Sequence, residues 1–338
     1  MNRTAPLVAL KVAGFLLCLA ALTQNTSAQF MLGDEKKSDA EKNKSKALVW
    51  NSITDGLKLA SEQKKPLLVD FYTDWCSWCK VMDEKTYAHH EVVKTLQSSF
   101  VLAKFNPEKN ADFEFQGKKI KATEFAKRMG VNGYPTTAFL KPDGTLIDAP
   151  AGYIEFSRFN TMLSFIVSKK YETEKMRMEE YMLHQDIERD PNNPRFRLNL
   201  AEYYNDSANY KKSLEIFQYV ANMDPKDKQD LLALHSGLAN TQMVFVKDFK
   251  SASQNFKKSL TFAQEPQVKA RIFLMTAFAE AGDKQTKSAV EYLDKLIKHC
   301  KDNKVPTGGL RQMLEKAPEL EPIRTSQELQ QFLKKMPQ

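Results

Sequence analysis

Residues 67–80 read Leu67-Leu68-Val69-Asp70-Phe71-Tyr72-Thr73-Asp74-Trp75-Cys76-Ser77-Trp78-Cys79-Lys80. A short apolar run of strand formers breaks at Thr73-Asp74-Trp75 and passes into two cysteines spaced C-x-x-C. From 80 to 87 no Pro or Gly interrupts the chain, and the stretch predicts a helix. The pair is therefore expected where a buried strand ends and a helix begins. Unpaired N–H groups and the positive end of the helix dipole favour a thiolate there, at Cys76. Two thiols so placed can close into a disulfide and reopen by exchange. Structural zinc needs about four ligands, and this motif supplies two. His89 and His90 follow, but adjacent histidines do not readily turn both rings onto one ion. A redox pair is the expectation, and no metal site.

At 338 residues the chain has length for about two domains, each with its own core. Arg3 and Lys11 flank an apolar run at 12–22, and Thr26-Ser27-Ala28 offers small residues for cleavage. Residues 1–28 are thus expected to be a secretory signal peptide. The run has eleven residues, short of the roughly 20 that span a bilayer. Large residues, Leu16 and Leu17, precede Cys18 and argue against lipid attachment there. Without Arg3 and Lys11 the balance is 48 basic against 42 acidic residues, a net charge of +6 instead of +8. Lysines alternate with acids and form no block, so no nucleic-acid partner is expected. Beyond residue 28 three cysteines remain, Cys76, Cys79 and Cys300. So few in an exported protein point to catalytic use of the pair and away from a disulfide-stapled scaffold.

Residues 33–46 are polar, charged and aperiodic, and 29–46 is expected to be a flexible linker. A helical pattern starts at Leu48 and runs to the polar stretch before Pro66. After the cysteines a second helix carries Val92, Val93 and Leu96, and 100–105 reads as another buried strand. Residues 107–119, with Phe113 and Phe115 alternating, predict a loop or a small exposed hairpin. A helix over 122–129 stops at Gly130. Pro135 opens a strand, one of the few places a sheet tolerates proline. Pro142-Asp143-Gly144 turns into a partner strand at 145–149, and a helix at 155–167 closes the unit.

In this order the chain resembles the thioredoxin superfamily over 47–169. The resemblance is carried by Val69-Asp70-Phe71, Trp75-Cys76-x-x-Cys79-Lys80, Ala103-Lys104-Phe105-Asn106, Gly133-Tyr134-Pro135-Thr136 and Gly152. The insert at 87–98 and the stretch Trp75 to Met82 look more like one branch. That branch includes the C-terminal thioredoxin domain of the bacterial inner-membrane thiol reductant. The resemblance implies an α/β thioredoxin fold, a central mixed sheet flanked by helices. It implies that Cys76 is an exposed attacking thiolate and Cys79 the more buried resolving thiol. Asp70 would be the buried acid relaying a proton to or from Cys79, and Lys104 the lysine that accompanies it. An unpaired carboxylate inside an apolar run is costly, which favours a functional Asp70. Pro135 would be a cis proline, leaving the backbone beside Tyr134 free to pair with substrate. Trp75 and Trp78 flank the thiols, so at least one is expected to contact substrate. No cofactor beyond the disulfide is implied. Ser77-Trp78 replaces the common Gly-Pro dipeptide and leaves the redox potential open.

Residues 170–338 are helical in pattern throughout. Leu200-Ala201-x-x-Tyr204 with Tyr210-x-x-Ser213-x-x-x-Phe217 resembles a tetratricopeptide repeat; Phe249-x-x-Ala252-x-x-x-Phe256 and Ala289-x-x-x-Leu293 resemble two more. Ser213, Ala252 and Ala289 are 39 and 37 residues apart, longer than the usual ~34. An all-α, degenerate repeat domain is expected here, with an irregular bundle as the alternative. Cys300 reads as a buried small hydrophobe, and the tail as a loop with one or two capping helices. The sequence thus points to an exported thiol–disulfide oxidoreductase, leaning to reductase, in a bacterial periplasm or cell envelope. Its expected partners are cysteine-containing clients, a membrane or soluble thiol donor, and a protein held by the repeats. The alternatives are a binding scaffold or chaperone and a disulfide isomerase.

Overall fold

A computed structural model describes residues 47–336; the expected signal peptide and most of the linker lie outside them. The described chain forms two compact units, 47–186 and 187–336. In the first, β1 (Leu67–Phe71) is buried at every residue. It lies between β2 (Val101–Phe105), parallel to it, and β5 (Thr136–Leu140), antiparallel, with β6 (Leu146–Asp148) outside β5. Both faces of this mixed sheet are covered, which is why β1 reads as a near-continuous apolar run.

Alternation along β1 sorts its side chains between two cores. Leu67, Val69 and Phe71 join Ile53 and Ala60 of α1 (Ile53–Gln63) and Phe125 of α4 (Ala122–Arg128). Leu68 joins Val92 and Leu96 of α3 (His90–Ser99) and Phe159 of α5 (Phe156–Ser168). Asp70 shares the second face by register, opposite Lys104 on β2 and Thr137 on β5. A carboxylate is thereby placed inside a hydrophobic layer.

Several local expectations change. The helix starts at Ile53, not at Leu48, because Ser52 caps it by accepting from the Asp55 N–H at 3.1 Å. Asn51 is instead extended along β2; its N–H and side-chain amide both donate to the Leu102 carbonyl at 2.9 Å. The helix after the cysteines, α2 (Ser77–Met82), widens into a π turn at Asp83–Tyr87. The 107–119 segment holds a hairpin, β3 (Phe113–Phe115) and β4 (Lys118–Ile120), but its aromatic face is not exposed. The F-E-F alternation puts both rings on one side, where each lies 5.0 Å from the Phe125 ring. After the short α6 (Lys170–Thr173), the helix α7 (Met178–Arg189) sends Met178, Tyr181 and Met182 into the Leu68–Phe159 core. The first unit consequently continues past 169 to Asp186.

The second unit is helical, and successive helices pair. The pairs are α8 (Pro194–Asp206) with α9 (Tyr210–Asn222), α10 (Lys228–Thr241) with α11 (Phe249–Phe262), and α12 (Pro266–Gly282) with α13 (Thr286–Asp302). Ser213, Ala252 and Ala289 each stand fourth in the second helix of a pair, and none has measurable exposure. Small side chains there let neighbouring helices approach. A methyl group at Gly237 of α10 would overlap the Phe217 ring, and one at Gly282 the ring of Phe249. The chain ends in α14 (Leu310–Lys316), a 3-10 turn at Pro318–Ile323 and α15 (Gln327–Lys335). Leu314, Leu320 and Leu329 cap the same core that holds Leu293, Leu296 and Cys300.

Candidate active site

Topology gathers Asp70, Lys104, Cys76 and Pro135 at one end of the first unit's sheet. Asp70 and Lys104 lie near the C-terminal ends of parallel β1 and β2, and Pro135 directly precedes antiparallel β5. Cys76 follows β1 and is the N-cap of α2. The Cys79 N–H donates to Cys76 Sγ at 3.1 Å, and the two sulfurs form a disulfide. That N–H and the start of the helix would favour a thiolate on Cys76 once the bond is reduced.

Neither cysteine is exposed. Cys76 is 4% and Cys79 6% accessible, so the expected contrast between an exposed and a buried thiol is absent in the disulfide form. The exposed groups are the flanking tryptophans, Trp75 at 68% and Trp78 at 57%. Trp75 meets the Tyr134 ring edge-on at 5.8 Å and donates its indole N–H to the Glu108 carboxylate at 3.2 Å. Trp78 lies 5.7 Å from the Tyr153 ring. Aromatic faces thus border the disulfide on both sides.

The Tyr134–Pro135 bond is cis. The Pro135 carbonyl accepts from the Gly152 N–H at 2.7 Å, and Gly152 sits at φ +87°, a conformation that suits glycine. Tyr134 makes no backbone–backbone hydrogen bond among the described residues. Its main chain is therefore available beside the disulfide loop.

Asp70, on the strand that leads into the cysteines, is 2% exposed. Burial pushes its carboxyl up to about 6, and nearby Asp83 adds to the shift; Lys104 and the Tyr87 hydroxyl oppose it. Lys104 Nζ lies 3.4 Å from Asp70 Oδ2 but 2.6 and 2.7 Å from the two oxygens of half-exposed Asp83. The ammonium also sits over the rings of Trp50 at 5.1 Å and Tyr72 at 5.5 Å. Tyr87 donates to Asp70 Oδ1 at 3.4 Å and shares a 2.9 Å hydrogen bond with Thr137. Among the described residues no cluster of three or more potential metal ligands occurs.

Sequence reading missed Asp83, Tyr87, Thr137, Glu108 and Tyr153. Alternation from Pro135 would place Thr137 on the face of Asp70 once the β1–β5 register is known. No signal in the sequence marks Asp83 or Tyr87, because the π turn alone aims them at the site.

Residues 53–166 match the model of a thioredoxin-like domain. The thiol:disulfide interchange protein DsbD of Ralstonia nicotianae is 28% identical over 114 residues, 34% of this chain and 17% of that protein. DsbD of Vibrio vulnificus is 34% identical over 88 residues, 26% of this chain and 13% of that protein. The match therefore spans only a small part of these relatives. Among solved structures, a Thermus thermophilus thioredoxin is similar at 23% identity and TM-score 0.32, covering 39% of this chain and 95% of its own. The DsbD C-terminal domain of Neisseria meningitidis, in its reduced form, is similar at 21% identity and TM-score 0.28, covering 34% and 93%. Residues 53–166 are a thioredoxin-like domain, and the chain is similar in sequence to a part of the DsbD proteins.

Proposed function

We propose that this protein is an exported thiol–disulfide oxidoreductase, acting as a disulfide reductase in a bacterial periplasm or cell envelope. The observation that carries the reading is a Cys76–Cys79 disulfide at a helix start, following the strand that buries the Asp70 carboxyl. In the reduced form the Cys76 thiolate attacks a client disulfide. A bond forms between Cys76 and one client sulfur, and the other client sulfur leaves as a thiolate. Cys79 gives its proton to the Asp70 carboxylate and attacks Cys76 Sγ. This closes the Cys76–Cys79 disulfide and releases the second client thiolate. The client gains two electrons, and a dithiol donor must return them to the protein. No other cofactor takes part. Trp75, Trp78, Tyr134 and Pro135 hold the client segment, Tyr134 through its available backbone, while Lys104 moderates the charge on Asp70.

The helical unit binds a client or partner protein through tetratricopeptide-like pairs. Exposed Tyr219, Phe245 and Val246 support this reading. A Cys79→Ser chain should hold clients as mixed disulfides through Cys76, while Cys76→Ser should hold none. The unchanged chain should speed the reduction of a disulfide-bonded protein by dithiothreitol. No acceleration and no mixed disulfide would remove the oxidoreductase reading and leave the helical unit as the working part.

A further inference from the structure

Asp70 has two donors, and they are not equivalent. Lys104 is shared, and its shorter contacts go to Asp83. The Tyr87 hydroxyl is the donor on Asp70 that faces no competing carboxylate within hydrogen-bonding distance. Its geometry allows a one-way chain in which Thr137 donates to Tyr87 and Tyr87 donates to Asp70. That orientation suits a carboxylate and disfavours a protonated acid. The ring is held edge-on by Trp50 at 5.2 Å and by Phe159 at 5.5 Å. Burial, with the Asp70 charge beside it, pushes the phenol well above its ordinary value, so it stays a donor wherever Asp70 is ionised.

We propose that Tyr87, oriented by Thr137, is a positioning residue that holds Asp70 in its ionised, proton-accepting form behind the Cys76–Cys79 pair. Its meaning for exchange rests on the oxidoreductase reading above; its effect on Asp70 does not. The groups facing Asp70 are Lys104 from β2, Asp83 and Tyr87 from the π turn and Thr137 from β5. Tyr87→Phe removes the hydroxyl and keeps the ring packed against Trp50 and Phe159.

The test is a pH titration of the Asp70 carboxyl, by carbon-13 shift, in the full-length oxidised protein labelled at aspartate. Asp70→Asn identifies the signal. Tyr87→Phe should raise the midpoint by roughly a few tenths of a pH unit, since the 3.4 Å contact is long for a hydrogen bond and Lys104 opposes the shift more strongly. Thr137→Val should raise it by less, since Tyr87 keeps its donor but loses its orientation. In the exchange assay the low-pH limb of the rate profile should move with the titration in Tyr87→Phe, and this displacement should vanish in an Asp70→Asn background. Midpoints unchanged in folded Tyr87→Phe and Thr137→Val would overturn the proposal. A rise in the titration without disulfide turnover by the unmodified chain would uphold Tyr87's hold on Asp70 and reject the oxidoreductase reading.

Discussion

Between pH 3.8 and about pH 6 the folded protein keeps a proton on Asp70 that the unfolded chain has already released. Stability must therefore fall as pH rises through that window, because the folded state binds more protons there. About two pH units at 1.36 kcal/mol each amount to roughly 3 kcal/mol. Asp70→Asn removes this slope. Denaturant unfolding of the oxidised variant and parent, on either side of the window, should show the variant gaining about 3 kcal/mol relative to the parent as pH rises. Parallel curves would mean that burial leaves the Asp70 carboxyl at its ordinary value. The motif residues Cys76, Cys79, Asp70, Lys104 and Pro135 were all legible as a resemblance in fixed order, and the fold brings them to one end of the sheet. Their companions were not legible. Tyr87 reaches Asp70 only through a widened helical turn, and Asp83 competes for Lys104 only because the same turn presents it.

At the scale of elements, periodicity marked strands and helices well wherever both faces are buried. It failed where one residue changes the geometry. Ser52 moves a helix start, the π turn replaces ordinary helix at 83–87, and F-E-F alternation folds two phenylalanines inward from a polar stretch. Glycine adds a case that propensity alone gets wrong. Alanine is the better helix former by about 1 kcal/mol, yet its methyl group at 237 would occupy the Phe217 ring. Gly237→Ala should destabilise the helical unit by about 1–3 kcal/mol despite that preference. Thermal unfolding followed by circular dichroism checks this, and a Phe217→Leu change in the same chain should recover part of the loss. A Gly237→Ala chain as stable as its parent would show that the Phe217 ring is free to move.

On the scale of the whole molecule the chain divides into a redox unit and a helical unit, each with its own core. The sequence placed the end of the first near 169, because α5 completes the expected fold there. Packing extends it, since Met178, Tyr181 and Met182 finish the layer under α5. Truncation after 186 should preserve the unfolding midpoint of the redox unit. Truncation after 169 should cost about 4.5–9 kcal/mol, from three buried side chains at about 1.5–3 kcal/mol each. Equal midpoints for the two truncations would show that α7 contributes nothing to that core.

Every step of the proposed exchange passes through the Cys76–Cys79 disulfide. Equilibrating the full chain with thiol redox buffers and counting alkylated cysteines tests it most directly. A single two-electron transition is expected for Cys76 and Cys79, with Cys300 outside it. Its midpoint should lie nearer thioredoxin, about −270 mV, than the strongest thiol oxidants, about −120 mV. A midpoint at the oxidising end would reverse the proposed direction of electron flow, and the absence of any transition would contradict the account outright.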